Sequence, residues 1–498
     1  MSPPGPDRSS GATAPAAPAQ GPSSRWSTPQ PNVTGRGIIA AYSTRFWALV
    51  VGLGVITGLA ASALVGLLRL AQHLSYGYTS GPFIDGVHRA PAWRHVVVLL
   101  AAALIVIAGL ALLRRLPSSG SSEVSEAIWL RSARLAFLPS LGRAVLSIVT
   151  VGMGVSLGRE AAPQLAGAAS ASALADWARL ALWQRRLLVA AGAGAGFAAV
   201  YNVPLGGALL AVEVFLGTLA LPIVLPVLAC SVIATAVAWL ALGTAPTYHV
   251  PTYTLSAQHV VWAVLIGPLL GLVAVGWARL ITRAAALRPR GRGRTLAPIL
   301  VFAALGLLSI PYAGLLGNGK NVVQLAVVGQ LSLGLMVVLF VLKPLATAAC
   351  LGTGAPGGLF TPTFTIGVLL AGVCGVVFGH IWHGPPAGSF ALIGGGAFLA
   401  AAMQGPVAGT VLVLELARHF DALMVPTLVA VVEATVVARR LGAASIYSAR
   451  VSPEPGAEVR ALAGASAIAS LNALDDALPA QEWADPPPSK RAPRRRGR

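Results

Sequence analysis

Apolar residues run along this chain in blocks rather than in alternation. Residues 46–68 carry no charge and end at Arg69, and residues 96–113 carry none and end at Arg114 and Arg115. As helices these blocks are long enough to cross a bilayer, which takes about 20 apolar residues. After them the pattern changes. The runs 144–157, 164–175, 187–200, 205–219, 344–352, 361–379, 406–418 and 423–440 are apolar but often short, and Gly, Pro and Ser break them. A simple bundle would show long runs separated by polar loops. Breaks at membrane depth are tolerated only where the backbone is buried in protein or lines a cavity. The short runs therefore predict half-helices that meet inside the membrane, an arrangement whose helix ends build ion sites in transporters.

Composition strengthens this reading. Of 498 residues 56% are hydrophobic and only 10% charged, with mean hydropathy +0.75; soluble domains carry about 25% charged residues. No Asp, Glu, Lys or Arg occurs in 214–278 or in 344–414. No water-soluble globule could cover its surface with such stretches, so soluble enzymes, secreted disulfide scaffolds and collagen-like chains are excluded. The expected fold is an all-α polytopic membrane protein. The net charge of +19 is concentrated in two places: the nine residues Lys490–Arg498 hold six cations, and Arg283, Arg288, Arg290, Arg292 and Arg294 form a second cluster. The positive-inside rule assigns both to the cytoplasmic side. Topology and attraction to anionic lipid account for them better than nucleic-acid binding does. Cys230, Cys350 and Cys374 sit in apolar runs and fit buried small hydrophobes. His380 and His383 are the close histidine pair, without a third ligand, so no metal site and no cofactor are expected. An intramembrane enzyme would need a Ser/His pair, an HExxH segment or paired aspartates within spans, and none is apparent.

Residues 1–43 are rich in Pro, Ala, Ser and Gly and read as a disordered N-terminal tail without a signal peptide's apolar core. Residues 451–498 read as a short basic C-terminal tail, too short for a pair of regulatory nucleotide-binding modules. Between them, 44–450 reads as one membrane unit containing a repeat. NVPLGGALLAVE (202–213) and QGPVAGTVLVLE (404–415) each have Pro, then Gly three later and Glu nine later; Pro204 to Pro406 and Glu213 to Glu415 are both 202 positions. The Gly-rich segment ending at Pro163 has a partner ending at Pro362, 199 positions on. Two homologous halves follow, about 44–243 and 255–450.

Nine acids lie between residues 45 and 450: Asp85, Glu123, Glu126, Glu160, Asp176, Glu213, Glu415, Asp421 and Glu433. Acids at membrane depth are functional candidates by default. Glu160 sits in GVSLGREAAPQLAG (154–167) and is expected in the first turn of the following helix, where free N–H groups and the positive dipole end favour an anion. There it either compensates the helix or pairs with Arg159, or it governs an anion site. A second junction, LGTGAPGGLFTPTFTIG (351–367), has Gly357 and Gly358 for close backbone approach and Pro362 in a first turn, so the amides of Leu359 and Phe360 would point at whatever precedes that helix. A third, PSSGSSEVSEAI (117–128), offers the hydroxyls of Ser118, Ser119, Ser121 and Ser122, alone no more than an N-cap cluster. All three present neutral donors. Partial positive charges bind an anion without trapping it, as conduction requires, so a small, weakly basic anion such as a halide is implied.

These segments resemble the chloride channel and proton/chloride antiporter (CLC) family over most of 44–450. TGAPGGLFTP (353–362), with Gly358, Leu359, Phe360, Thr361 and Pro362, is similar to the family's GxFxP filter motif. GREAAP (Gly158, Arg159, Glu160, Ala161, Ala162, Pro163) is similar to GREGP but holds Pro163 one place late. SSGSSE (118–123) aligns with GSGIPE, keeping Ser119, Gly120 and Glu123, while Ser121 and Ser122 replace Ile-Pro. SIYSA (445–449) is similar to the segment holding the pore tyrosine. The resemblance implies an inverted-repeat fold of about 16–18 short and broken helices, and a homodimer in the cell membrane with both termini cytoplasmic. It implies that Glu160 is the gating glutamate, that Ser119 and Tyr447 donate hydroxyls to a central chloride, and that Leu359 and Phe360 donate amides.

One departure bears on mechanism. The antiporters carry two successive glutamates where this chain has Glu213 and Val214, and the second passes protons inward. Val214 has no proton to give, as in the channel branch. The expected function is transmembrane chloride transport through a glutamate-gated pore, channel-like or weakly proton-coupled. The alternatives are a proton-coupled chloride antiporter on the same scaffold and, outside the family, a secondary transporter of another solute. Glu213 and Glu415 are expected to satisfy nearby backbone or basic groups.

Overall fold

The structure, a computed structural model, describes residues 42–116, 123–418 and 422–448. The chain divides at Ser43–Thr44, and the membrane unit begins at Thr44. Among the described residues there are seventeen α-helices and no strand. Six are long and apolar enough to cross a membrane: α1 (Thr44–Tyr76), α3 (Ala92–Leu113), α9 (Leu221–Leu242), α10 (Ala257–Ala286), α13 (Leu333–Gly352) and α14 (Phe360–Ile381). They expose large side chains such as Leu59, Leu104, Leu240 and Leu265, the surface a helix presents to lipid rather than to water.

Other helices are too short to cross. α6 (Ala161–Trp177) and α15 (Ala387–Met403) have 17 residues each, or roughly 25 Å against a hydrocarbon core of about 30 Å. They and α7 (Leu182–Tyr201) are buried on nearly every face. Without water to drive association, helices in a membrane gain by close van der Waals approach, which small residues permit. Gly167 on α6 and Gly192 on α7 lie so close that a Cβ on either would strike the other's backbone carbonyl.

Two run boundaries differ from the sequence expectation. α1 continues through Arg69 to Tyr76, because Arg69 stands on an exposed position and its side chain can reach a polar region. The apolar run at 344–352 is the second half of α13, which contains Lys343 and Pro344. Lys343 is 1% exposed yet satisfied, since its ammonium donates to the carbonyls of Leu315 at 2.9 Å and Gly317 at 2.8 Å.

The repeated motifs adopt matching geometry. α7 ends at Asn202 (φ 58°) before α8 (Pro204–Leu209), and α15 ends at Gln404 (φ 59°) before α16 (Pro406–Ala417). Both prolines open a helix, where a missing N–H costs nothing. α8 runs into a π-helical turn, Leu210–Phe215, that carries Glu213. The two glutamates then cross over. Glu213 accepts from the amides of Val407 (3.2 Å) and Ala408 (2.6 Å) at the start of α16. Glu415 accepts from those of Leu205 (3.2 Å) and Gly206 (2.6 Å) at the start of α8. The distances match pair for pair, as a local two-fold relation requires.

Hydrogen bonds to charged groups contribute about 1.5–3 kcal/mol each, so Glu415→Ala is expected to destabilise by roughly 3 kcal/mol and Glu415→Gln by less. Glu213→Ala should cost a similar amount, and the double variant should depart from the sum, because both caps tie α16 to α8 and its π-helical turn. Thermal unfolding in detergent measures this; unchanged midpoints in both single variants would refute the capping role.

Candidate functional site

The Gly-rich segments that precede α6 and α14 meet through their backbones. Gly158 and Gly358 exchange two N–H···O bonds of 2.7 Å each, an isolated antiparallel bridge. A side chain on Gly158 or Gly358 would collide with the Glu160 carboxylate. The glycines are required here because two chain segments and a carboxylate share one small volume.

Glu160 occupies the position before α6 rather than its first turn, with αR backbone angles. Its carboxylate does not cap its own helix. It reaches across to α14, where Oε1 accepts from the Phe360 amide at 2.7 Å. Oε2 accepts from the Tyr201 hydroxyl at 3.1 Å and from Thr361 Oγ1 at 3.2 Å. Glu160 is 1% exposed, a burial that only such donors and the positive helix end make tolerable. Tyr201 Oη and Thr361 Oγ1 lie 2.5 Å apart, so Glu160 Oε2 and the two hydroxyls form a ring of three oxygens. An ionised carboxylate leaves two hydrogens for three oxygen pairs; a protonated one supplies the third. Phe360 packs edge-on against Phe197 (ring centroids 4.6 Å), fixing the start of α14 beside Tyr201.

A cavity of about 60 Å³ opens from Glu160. Its described lining includes Glu160, Ala161, Gly357, Gly358 and Tyr447, together with Glu123, Arg143 and Arg288. Tyr447 stands edge-on to Phe215, with centroids 5.4 Å apart. Of the predicted site residues, Glu160, Ala161, Gly358 and Tyr447 line this one space. Leu359 is the N-cap of α14, and the Phe360 amide next to it is the one that reaches the carboxylate. Arg159 forms no ion pair with Glu160 among the described residues and lies over the Tyr201 ring at 4.9 Å. Ala162 and Pro362 are buried in the first turns of their helices. Ser118, Ser119, Gly120, Ser121 and Ser122 lie outside the described residues. The side chain of Val214 points at Gly405, where an added Cβ would meet it, and Val214 is absent from the described cavity lining. His380 Nδ1 engages the Val376 carbonyl of its own helix at 2.8 Å, and no group of three potential metal ligands occurs among the described residues.

Sequence reasoning missed Tyr201. Its signal was a lone hydroxyl closing the apolar run 187–200, three residues ahead of the repeated Pro, and nothing in the sequence tied it to position 160.

Broken helices whose amide ends turn on one buried acid, within a shell of lipid-facing spans, define an all-α membrane protein of the transporter and channel type. The family model described as voltage gated chloride channel matches residues 102–439. The chain belongs to that family, the CLC proteins, and is a multi-pass membrane protein. It is 29% identical over 375 residues to an H(+)/Cl(−) exchange transporter ClcA of Yersinia pestis, covering 71% of this chain and 77% of that one. It is 28% identical over 439 residues to ClcA of Salmonella paratyphi A, covering 81% and 87%. Its fold matches the crystal structure of a slow cyanobacterial Cl−/H+ antiporter with a TM-score of 0.72 at 21% identity, over 82% of this chain and 97% of that one. It matches that of a CLC-type fluoride/proton antiporter with a TM-score of 0.67 at 19% identity, over 84% and 99%.

Gly358→Ala is expected to destabilise by about 1–3 kcal/mol, as overpacking does, because it forces the Glu160 carboxylate off the Phe360 amide. Gly276→Ala on α10, where nothing lies within 4 Å of an added Cβ, should be neutral or stabilising. Paired thermal unfolding curves measure the contrast, and equal shifts would refute the assigned packing.

Proposed function

We propose that this chain carries a small anion, chloride foremost, through the cavity between Tyr447 and Glu160 and exchanges it for protons taken up by Glu160. The observation that carries the reading is the Glu160 carboxylate seated on the Phe360 amide at a buried helix start, the place an anion would occupy. Ionised, Glu160 fills that place and closes the path. Protonated, it is neutral, binds the helix end less strongly, and yields to the anion. The three-oxygen ring with Tyr201 and Thr361 supports proton uptake, because the added hydrogen completes it. The names of the relatives, H(+)/Cl(−) exchange transporters, support exchange over simple conduction.

In this reading Ser119 and Tyr447 offer hydroxyls to an anion in the cavity, Leu359 and Phe360 offer amides, and the chain works as a homodimer with both termini cytoplasmic. Chloride is the ligand, and no cofactor takes part. A second reading, an uncoupled conductor, is favoured by Val214 alone. The contact of Val214 with Gly405, off the described cavity lining, weakens that argument: a proton that reached Glu160 along the cavity would pass Glu123 rather than position 214.

The test is the reversal potential of the protein reconstituted in liposomes, under a chloride gradient and then with a pH gradient added. Exchange displaces the reversal potential when the pH gradient is imposed; a reversal that stays at the chloride equilibrium potential selects the uncoupled conductor. Glu160→Gln should leave anion flux that no longer varies with pH and moves no protons. Wild-type pH dependence in that variant would remove Glu160 from the gate.

A further inference from the structure

At Tyr76, the end of α1, the chain turns back through Gly77 and the short helix α2 (Phe83–Arg89) before α3 begins at Ala92. The turn and these helix ends enclose an open cavity of about 270 Å³. Its walls are fixed by specific contacts. Arg94, in the first turn of α3, donates from Nε to the Ser75 carbonyl at 2.7 Å and from Nη2 to the Leu74 carbonyl at 3.0 Å. Those carbonyls belong to the last turn of α1, which leaves them no partner within their own helix. Arg94 Nη1 lies against Gly77 (φ 68°), where an added Cβ would meet it. Gly86 of α2 lies so close to the Tyr78 ring that an added Cβ would collide with it. Beneath them Tyr76 donates its hydroxyl to the Met153 carbonyl at 3.1 Å and packs edge-on against Phe83.

The chemistry of this lining is one-sided. Arg89 and Arg94 bring two guanidinium groups, Tyr78, Thr79 and Ser80 bring hydroxyls, and the lining holds no Asp or Glu. Arg89 is exposed and enters no ion pair among the described residues, not even with Asp85 one turn earlier on α2. Arg94 meets only carbonyl oxygens. Two guanidinium forks with hydroxyls beside them match an anion that carries several oxygens, phosphate above all. The surroundings decide which phosphate. α1 and α3 are both long and apolar enough to span a membrane, so a cavity at their joined ends lies at the depth of the lipid headgroups. Trp93, Val97 and Leu104 are exposed and fall on one face of α3, at spacings i, i+4 and i+11, beginning one residue before Arg94. Tryptophan favours that interfacial depth. We propose that this cavity binds the phosphate of an anionic glycerophospholipid, with Arg89 and Arg94 on the headgroup and the acyl chains along the bare face of α3. The site shares no lining residue with the cavity at Glu160 and does not depend on what the chain transports.

The test is electron cryo-microscopy of the full chain in nanodiscs of phosphatidylglycerol and, separately, of phosphatidylcholine, with native mass spectrometry of phosphatidylglycerol binding in detergent as a second readout. The site requires headgroup density in the cavity in phosphatidylglycerol. Arg89→Gln should weaken the tightest-bound lipid about fivefold, the scale of one basic residue beside an anionic membrane surface. Ser80→Asp, which sets a carboxylate among the donors, should weaken it at least as much. Both changes fall on exposed positions, whereas Arg94→Gln would also uncap α1. Arg290→Gln, in the basic cluster 283–294, should leave that lipid in place, which separates the cavity from a general attraction of cations for anionic lipid. An empty cavity in phosphatidylglycerol, or undiminished binding in both Arg89→Gln and Ser80→Asp, overturns the proposal. Phosphatidylcholine seated there equally well overturns the anionic assignment. Inorganic phosphate that fills the cavity in phosphatidylcholine nanodiscs, where phosphatidylglycerol leaves it empty, reassigns the site to the free ion and overturns the lipid reading.

Discussion

A helix that begins inside a membrane leaves its first amide hydrogens with no water to bond, and that constraint organises this molecule. An unsatisfied polar group in hydrocarbon costs several kcal/mol, so each internal helix start needs an acceptor from elsewhere. The chain answers with carboxylates sent across from distant segments. Glu213 meets α16, Glu415 meets α8 and Glu160 meets α14. In each case the burial cost of the acid and that of the helix end offset one another, which explains how so apolar a chain retains these acids at all.

The three caps are not equivalent, and the difference separates scaffold from site. Glu213 and Glu415 each hold two amides, one of them at 2.6 Å. Leaving would expose two buried donors at once. Glu160 holds one amide and two hydroxyls. Hydroxyls rotate and can turn to each other, as the 2.5 Å approach of Tyr201 to Thr361 already allows. Its departure leaves the Phe360 amide at the start of α14 without that acceptor. Glycine at 158 and 358 matters sterically, because the space beside the bridge between them is filled by the Glu160 carboxylate and admits no side chain at either position. Arg143 and Arg288 at the cavity favour negative charge there.

Much of this was legible from residue order. Short apolar runs broken by Gly and Pro announced helices that stop at depth, and the spacing shared by Pro204/Glu213 and Pro406/Glu415 announced a pair of related elements. Both readings depend on local chemistry: a Pro suits a helix start, and Gly permits close approach, wherever the segment ends up. Lys343 shows the limit. Its charge ended an apolar run on paper, yet it lies inside α13, because three-dimensional packing brought carbonyls of the 313–317 loop to its ammonium.

The sequence by itself determined that the chain is an all-α membrane protein, that its helices break where glycine and proline fall, and that Glu160 stands at such a break, since hydropathy, backbone freedom and helix-end chemistry are properties of a few adjacent residues. Only the tertiary structure decided which helix each acid would serve. Glu160 lies 200 positions from Phe360, Tyr201 lies 160 from Thr361, and Glu213 and Glu415 trade places across the repeat. An amide at a helix start accepts any carboxylate brought within reach. Its partner is therefore fixed by how the helices pack, not by what precedes it in the chain.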